Sequence, residues 1–185
     1  MTLGDGKRRV LMLLDEYSSG GALTVDADVM AKMNDCFDAA QKDMALYRPV
    51  RRRAALALSG GGADALPPDV ARVSRVTKDG KRTDAYEAID GKLVYAAGDT
   101  SVLTLDYLAR PATIAPETPD DYEFEVGEEA ANCLPFFVAA QQLIPDLVAD
   151  YGAFYNLYLQ MRSALGRSGE TAQGGRVRQS LYGRG

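Results

Sequence analysis

The spacing of the apolar residues changes twice along this chain, and that limits the folds open to it. Up to residue 48 they recur at steps of three and four; over 53–114 they alternate or form short runs; beyond residue 127 the three-and-four spacing returns. Helices, then strands, then helices are expected. Thr2 with Asp5 makes a capping start for a first helix with the stripe Val10, Leu13, Leu14 and Tyr17, and "SSGGALT" ends it. Thr24 or Asp26 caps a second helix along Met30, Met33, Phe37, Ala40, Met44 and Tyr47, which Pro49 stops at Arg48.

In the middle region "SGGGADALPPD" is expected to be a loop, followed by short strands over 73–76, 85–89, 93–96 and 102–107. Asp79-Gly80 and Asp90-Gly91 are tight-turn signals, which favours an antiparallel meander. In "VLTLDY" Leu103, Leu105 and Tyr107 face one way and Thr104 and Asp106 the other, so one sheet face is wet. The three prolines of "RPATIAPETPDDYEFEVGEE" make it an extended, solvated connector. Glu128 and Glu129 open a third helix, which Pro135 bends locally, and Pro145 starts a fourth that carries "DYGAFYNLYLQMRSALG".

These readings give an α+β chain, mainly α: a four-helix bundle from 1–50 and 122–167, an inserted small antiparallel β subdomain with linkers over 51–121, and an extended C-terminal tail over 168–185. With 185 residues, 46% of them apolar and 25% charged, the chain can bury a core. The first residues form a helix and not a signal peptide, and no run approaches the ~18 apolar residues that span a bilayer.

Catalytic chemistry finds little support. The chain has no histidine, which removes the commonest general base and the usual triad partner. Cys36 and Cys133, each inside an apolar pattern, are expected as buried free thiols in a reducing cytosol. "SGGGAD" lacks the Gly-Lys-Ser/Thr ending of a phosphate loop. Asp26 and Asp28, or Glu117, Asp120, Asp121, Glu123 and Glu125, could hold a divalent cation, but a helix cap and a solvated linker explain them equally. Neither a catalytic residue, a cofactor nor a metal ligand is assigned.

A net charge of -5 argues against bulk attraction to nucleic acid, so any such contact would need a local basic patch. "RPVRRR" (Arg48, Arg51, Arg52 and Arg53) is the densest positive run. It can grip phosphates or pair with carboxylates of a neighbouring subunit, and the second reading is preferred. Tyr151, Tyr155 and Tyr158 cover one side of the aromatic helix, beside Phe154, Leu157, Met161 and Leu165. Only Arg162 interleaves them, whereas base-stacking platforms carry several cations. Core plus subunit interface is the expectation, with the three tyrosines and Arg51, Arg52 and Arg53 at the interface.

Three stretches carry a likeness to a known family. They are the helical pair ending "AQKDMALYRPVRR", the strand "LTLDYLARPATI" with its acidic connector, and "DYEFEVGEEAANCLPFFVAAQQLIPD" followed by "YGAFYNLYLQMRSAL". In these the chain resembles the head-tail connector (adaptor) proteins of tailed bacteriophages. The resemblance implies a structural protein, not an enzyme, made in the host bacterial cytoplasm and placed in the virion neck. Such adaptors form a ring, usually dodecameric, on the portal protein. They retain packaged DNA, which passes through the channel without sequence-specific binding, and they seat a downstream neck or tail protein; no membrane is involved. The middle strands are a larger insertion than the simplest members carry.

From Gly169 to Gly185 there are five glycines, three arginines and one acid, too little apolar surface to order alone. Adaptors extend their C-terminal segment onto the portal, so the resemblance assigns Arg176, Val177, Arg178, Leu181, Tyr182 and Arg184 to portal docking. Two other classes remain as rivals: a nucleic-acid-binding module using the run Arg48 to Arg53, and a small metal-dependent hydrolase using the carboxylates.

Overall fold

The structure, a computed structural model, describes residues 1–14, 27–143 and 151–173. It divides the chain into a β unit, Pro49–Ile114, and a helical unit formed by Met1–Arg48 with the chain from Ala115 onward.

In the helical unit, α1 (Leu3–Leu13) starts at the expected capping box. Thr2 Oγ1 accepts from the Asp5 N–H, and the Asp5 carboxylate accepts from the Thr2 N–H, both at 3.1 Å. α2 (Ala27–Tyr47) buries Met33, Phe37, Ala40 and Met44, the centre of the expected stripe, and ends where Pro49 requires. Residues 15–26, with Tyr17, Thr24 and Asp26, lie outside the described residues, as do 144–150 with Pro145.

A four-helix bundle is not what forms. The third predicted helix is two pieces, α3 (Glu128–Ala131) and α4 (Leu134–Leu143). Pro135 explains the break: its ring would clash with the Ala131 carbonyl if one helix ran through, whereas in the first turn of α4 its missing N–H costs nothing. α3 is a single turn and α1 and α4 span 11 and 10 residues, so only α2 and α5 (Tyr151–Gln173) are long. Residues 168–173, expected in the tail, belong to α5.

What closes the helical unit is the connector, which is packed and not a solvated linker. Leu3 and Gly4 donate their N–H groups to the Tyr122 and Asp120 carbonyls, both at 2.8 Å, and Glu123 forms an antiparallel bridge with Thr2. Phe124 and Val126 are buried, with the Phe124 ring 5.3 Å from that of Phe37. Two buried amides of α2 hold the irregular backbone. Asn34 Nδ2 donates to the Ala115 and Pro116 carbonyls at 3.0 and 2.9 Å. Gln41 Oε1 accepts from the Glu125 N–H at 2.9 Å, and its Nε2 donates to the Tyr122 hydroxyl at 3.1 Å.

The β unit holds seven strands in two antiparallel sheets instead of one meander. β1 (Val50–Ala57), β7 (Val102–Ala109), β3 (Val70–Lys78) and β4 (Lys81–Arg82) form one sheet in that order. β2 (Ala63–Ala65), β6 (Lys92–Val94) and β5 (Glu87–Ile89) form the other. The two Asp-Gly turns are where expected, with Asp79, Gly80, Asp90 and Gly91 all at positive φ, as a type I′ hairpin demands. The long pairings are not between sequence neighbours, because β7 is flanked on both sides. Its alternating Leu103, Leu105, Tyr107 and Ala109 meet Leu58, Val76, Leu93 and Tyr95 in one core shared by both sheets. β1 and β2 lie in stretches expected as a charged junction and a loop.

Two substitutions test this packing. A Cβ at Gly6 would sit 2.9 Å from Phe37 Cζ and 3.3 Å from Phe124 Cε2. Gly6→Ala should therefore lower stability by about 1–3 kcal/mol in urea unfolding, although the same change in an exposed helix gains about 1 kcal/mol. Gln41→Leu leaves the Glu125 N–H and Tyr122 hydroxyl without their amide and should destabilise by about 1–3 kcal/mol, measured the same way.

Candidate interaction surfaces

The aromatic helix α5 splits its tyrosines between inside and outside. Tyr158 is fully buried, which corrects its expected place at a subunit interface. Its hydroxyl donates to Asp43 on α2, and the same carboxylate oxygen accepts from Arg162 Nη1 at 2.7 Å. Burial, reinforced by the Asp43 hydrogen bond and charge, pushes the Tyr158 phenol well above its ordinary range, so it stays protonated and serves as a donor. The Arg162 guanidinium lies over the Tyr47 ring, 4.3 Å from its centroid. Phe137 of α4 completes the cluster, with its ring 5.2 Å from Tyr158 and 6.4 Å from Tyr155. Tyr155 and Leu157 are exposed on α5, and Leu46 (77% exposed) and Tyr47 are exposed on the last turn of α2. The Tyr151 side chain lies outside the described residues, and so do Arg176, Val177, Arg178, Leu181, Tyr182 and Arg184.

The arginine run is divided by the pleat of β1. Arg52 points to the core side, where it pairs with Asp69 at 2.6 Å; Asp69 also accepts from the Tyr107 hydroxyl. Arg51 and Arg53 lie on the opposite face, opposite Leu108 and Asp106 of β7. Arg53 Nε donates to Asp106 Oδ1 at 2.6 Å, so Arg52 and Arg53 each have a carboxylate partner within the chain. Arg48, at the end of α2, reaches Glu129 at 3.4 Å.

Two arginines that the sequence pattern hides complete this face. Arg72 and Arg75 of β3 stand opposite the same Leu108 and Asp106 from the other side of β7. They are three residues apart and would fall on opposite faces of a regular strand. Irregularities at 70/72 and 73/75 each add a residue and return both side chains to the outer face. The Arg53 guanidinium, with help from Arg75, holds the Asp106 carboxyl below its usual range. The outer face of β1–β7–β3 thus gathers four exposed arginines around one carboxylate.

The other candidates come to less. Asp64 accepts from the Ser59 N–H and the Tyr95 hydroxyl, and Gly60 N–H donates to Tyr95, so the glycine loop is tied to its own unit. Cys133 is buried and Cys36 half-buried, both as free thiols. Among the described residues no three His, Cys, Asp or Glu side chains gather as a metal site would require, and no helix is long and apolar enough to cross a membrane.

The buried cluster should answer to mutation as core. Tyr158→Phe should cost about 1 kcal/mol, and Asp43→Ala about 1–3 kcal/mol because it strands both Tyr158 and Arg162. Tyr155→Glu, on the exposed side, should leave the thermal midpoint nearly unchanged. Compared with known proteins, the chain matches no protein-family model, and no curated protein sequence is similar to it.

Proposed function

We propose that the chain is a structural head-tail connector of a tailed-phage neck, forming a ring that docks on the portal, retains packaged DNA and seats the next neck or tail protein. The family resemblance in the three stretches supports this reading. The observation that carries it in the structure is the exposed aromatic and aliphatic surface at the α2 terminus and along α5. Leu46, Tyr47, Tyr155 and Leu157 are half of the exposed large apolar side chains among the described residues. Aromatic groups with polar tips beside an arginine are the composition of protein–protein contact cores. They sit on a rigid base, because Tyr158, Asp43 and Arg162 lock α5 to α2 directly beneath them. The C-terminal residues from Arg176 to Arg184 supply the portal-docking segment in this reading.

The experiment mixes the purified chain with the portal protein encoded in the same genome and weighs the complexes by native mass spectrometry. A ring of several copies per portal ring is expected. Tyr155→Glu with Leu157→Glu should keep the far-UV helical signal and lose ring assembly. Deleting residues 174–185 should leave the thermal midpoint unchanged and abolish portal binding. A chain that never associates with the portal would overturn the reading.

A further inference from the structure

The charges of this chain are segregated. The β unit carries ten Lys and Arg against eight Asp and Glu, a net of +2, whereas the remaining residues carry eleven against eighteen, a net of -7. On the β unit the positive charge concentrates on the outer face of β1–β7–β3. Every cation at these register positions is arginine: Arg51 and Arg53 on β1, Arg72 and Arg75 on β3. Arg53 is held by Asp106, while Arg51, Arg72 and Arg75 have no ion pair among the described residues. On the helical unit Glu117, Asp121, Glu123 and Glu128 are exposed and likewise unpaired among the described residues, whereas Asp120 and Glu129 are taken by Lys7 and Arg48.

We propose that the arginine face of one copy docks on the carboxylates of Glu117, Asp121, Glu123 and Glu128 of a second copy of this chain. Three observations favour that occupant. Guanidinium rather than ammonium is what interfaces select, because a planar fork grips a carboxylate with two bonds. Blocking of strand pairing at an open edge is a task mostly given to lysine, whereas β1 and the part of β3 that β4 leaves uncovered carry arginine at all four of these positions. A nucleic-acid backbone would meet the Asp106 carboxylate at the centre of the face, on a chain whose net charge is -5. A neighbour's carboxylates instead find three arginines without an ion pair among the described residues. A basic face on one unit meeting an acidic edge on another is a head-to-tail contact, and repetition of such a contact closes a ring when the rotation permits. The inference thus deepens the ring reading and rests on it for closure, while the pairwise contact stands without it.

Charge reversal tests the contact. One variant carries Arg72→Glu and Arg75→Glu; another carries Glu117→Arg, Asp121→Arg and Glu123→Arg. All five positions are exposed, so circular dichroism and the thermal midpoint should match wild type, and Arg72→Gln with Arg75→Gln provides a milder version. In sedimentation velocity the wild type should self-associate at low salt and dissociate as salt shortens the screening length. Each variant alone should associate at least about tenfold more weakly. An equimolar mixture should recover association, because every contact in an alternating assembly then joins opposite charges. A wild type that stays monomeric at low salt, or a mixture that fails to recover, would overturn the proposal. So would DNA binding by the wild type with a steep salt dependence that Arg72→Glu and Arg75→Glu abolish, which would assign the face to a polyanion. Rings that form on the portal equally well with either variant would sink this contact and leave the connector reading standing. Salt-dependent, swap-rescued association without any portal binding would do the reverse.

Discussion

The helical unit depends on two buried amides of α2. An irregular backbone can lie against a core only if its N–H and C=O groups find partners there. Asn34 and Gln41, two turns apart and on the same side as Phe37 and Met44, meet that requirement for the chain returning from the β unit. Asn34 holds the carbonyls where the connector enters, and Gln41 holds the Glu125 N–H and the Tyr122 hydroxyl further along. Fixed in this way, the connector presents Phe124 to Phe37 and offers carbonyls to the free N–H groups at the start of α1. Gly4 and Gly6 permit that approach, since a side chain at either would press on Asp120 or on the two rings. Lys7, almost wholly buried, pairs with Asp120 at 2.7 Å and ties the same two segments together.

Local signals were legible in the sequence wherever one residue type enforces one conformation. The Thr2–Asp5 capping box, the Pro49 stop, both Asp-Gly turns and the alternation of β7 all appear as read. What the sequence hid are long-range decisions. A run of three prolines and seven acids has the composition of a solvated linker, and only the partners on α2 and α1 make it part of a core. The strand β1 was masked by Arg51 to Arg53, because its burial comes from pairing with β7, some fifty residues away. The apolar pattern continues across Pro135, so the sequence there predicts only a bend. The backbone clash at Ala131 outweighs that pattern and leaves two helices. The four-helix bundle failed on these counts: one predicted helix is divided, and a packed extended segment stands where helix–helix contact was expected.

Legibility of the candidate surfaces follows the same division. The sequence marks α5 as aromatic on a sector too wide for one packing layer, but periodicity cannot tell which flank is buried. Asp43 decides it: a carboxylate on α2 draws Tyr158 and Arg162 inward, and Tyr155 and Leu157 are left on the flanks. An interface built there is pre-organised, since the exposed rings rest on side chains that already have their partners. Arg51 to Arg53 were visible as a cluster in sequence, yet the pleat sends Arg52 to Asp69 and breaks the cluster in space. Its replacement, with Arg72 and Arg75, exists only because two bulges in β3 shift the register twice.

Those bulges have an energetic meaning. Each leaves a residue out of the β3–β7 ladder, so a strand that bulges twice in nine residues forgoes regular pairing. Without them Val70, Val73 and Val76 could not all face the core, since a spacing of three alternates faces in a regular strand. The apolar contacts that these valines make with Leu105, Tyr107 and Ala109 are what hold the irregular register in place. The arginines at 72 and 75 are carried outward by the same shifts. Core packing and surface charge on this sheet are therefore not independent: a change that regularised β3 would bury an arginine or expose a valine, and the basic face would disperse with the core beneath it.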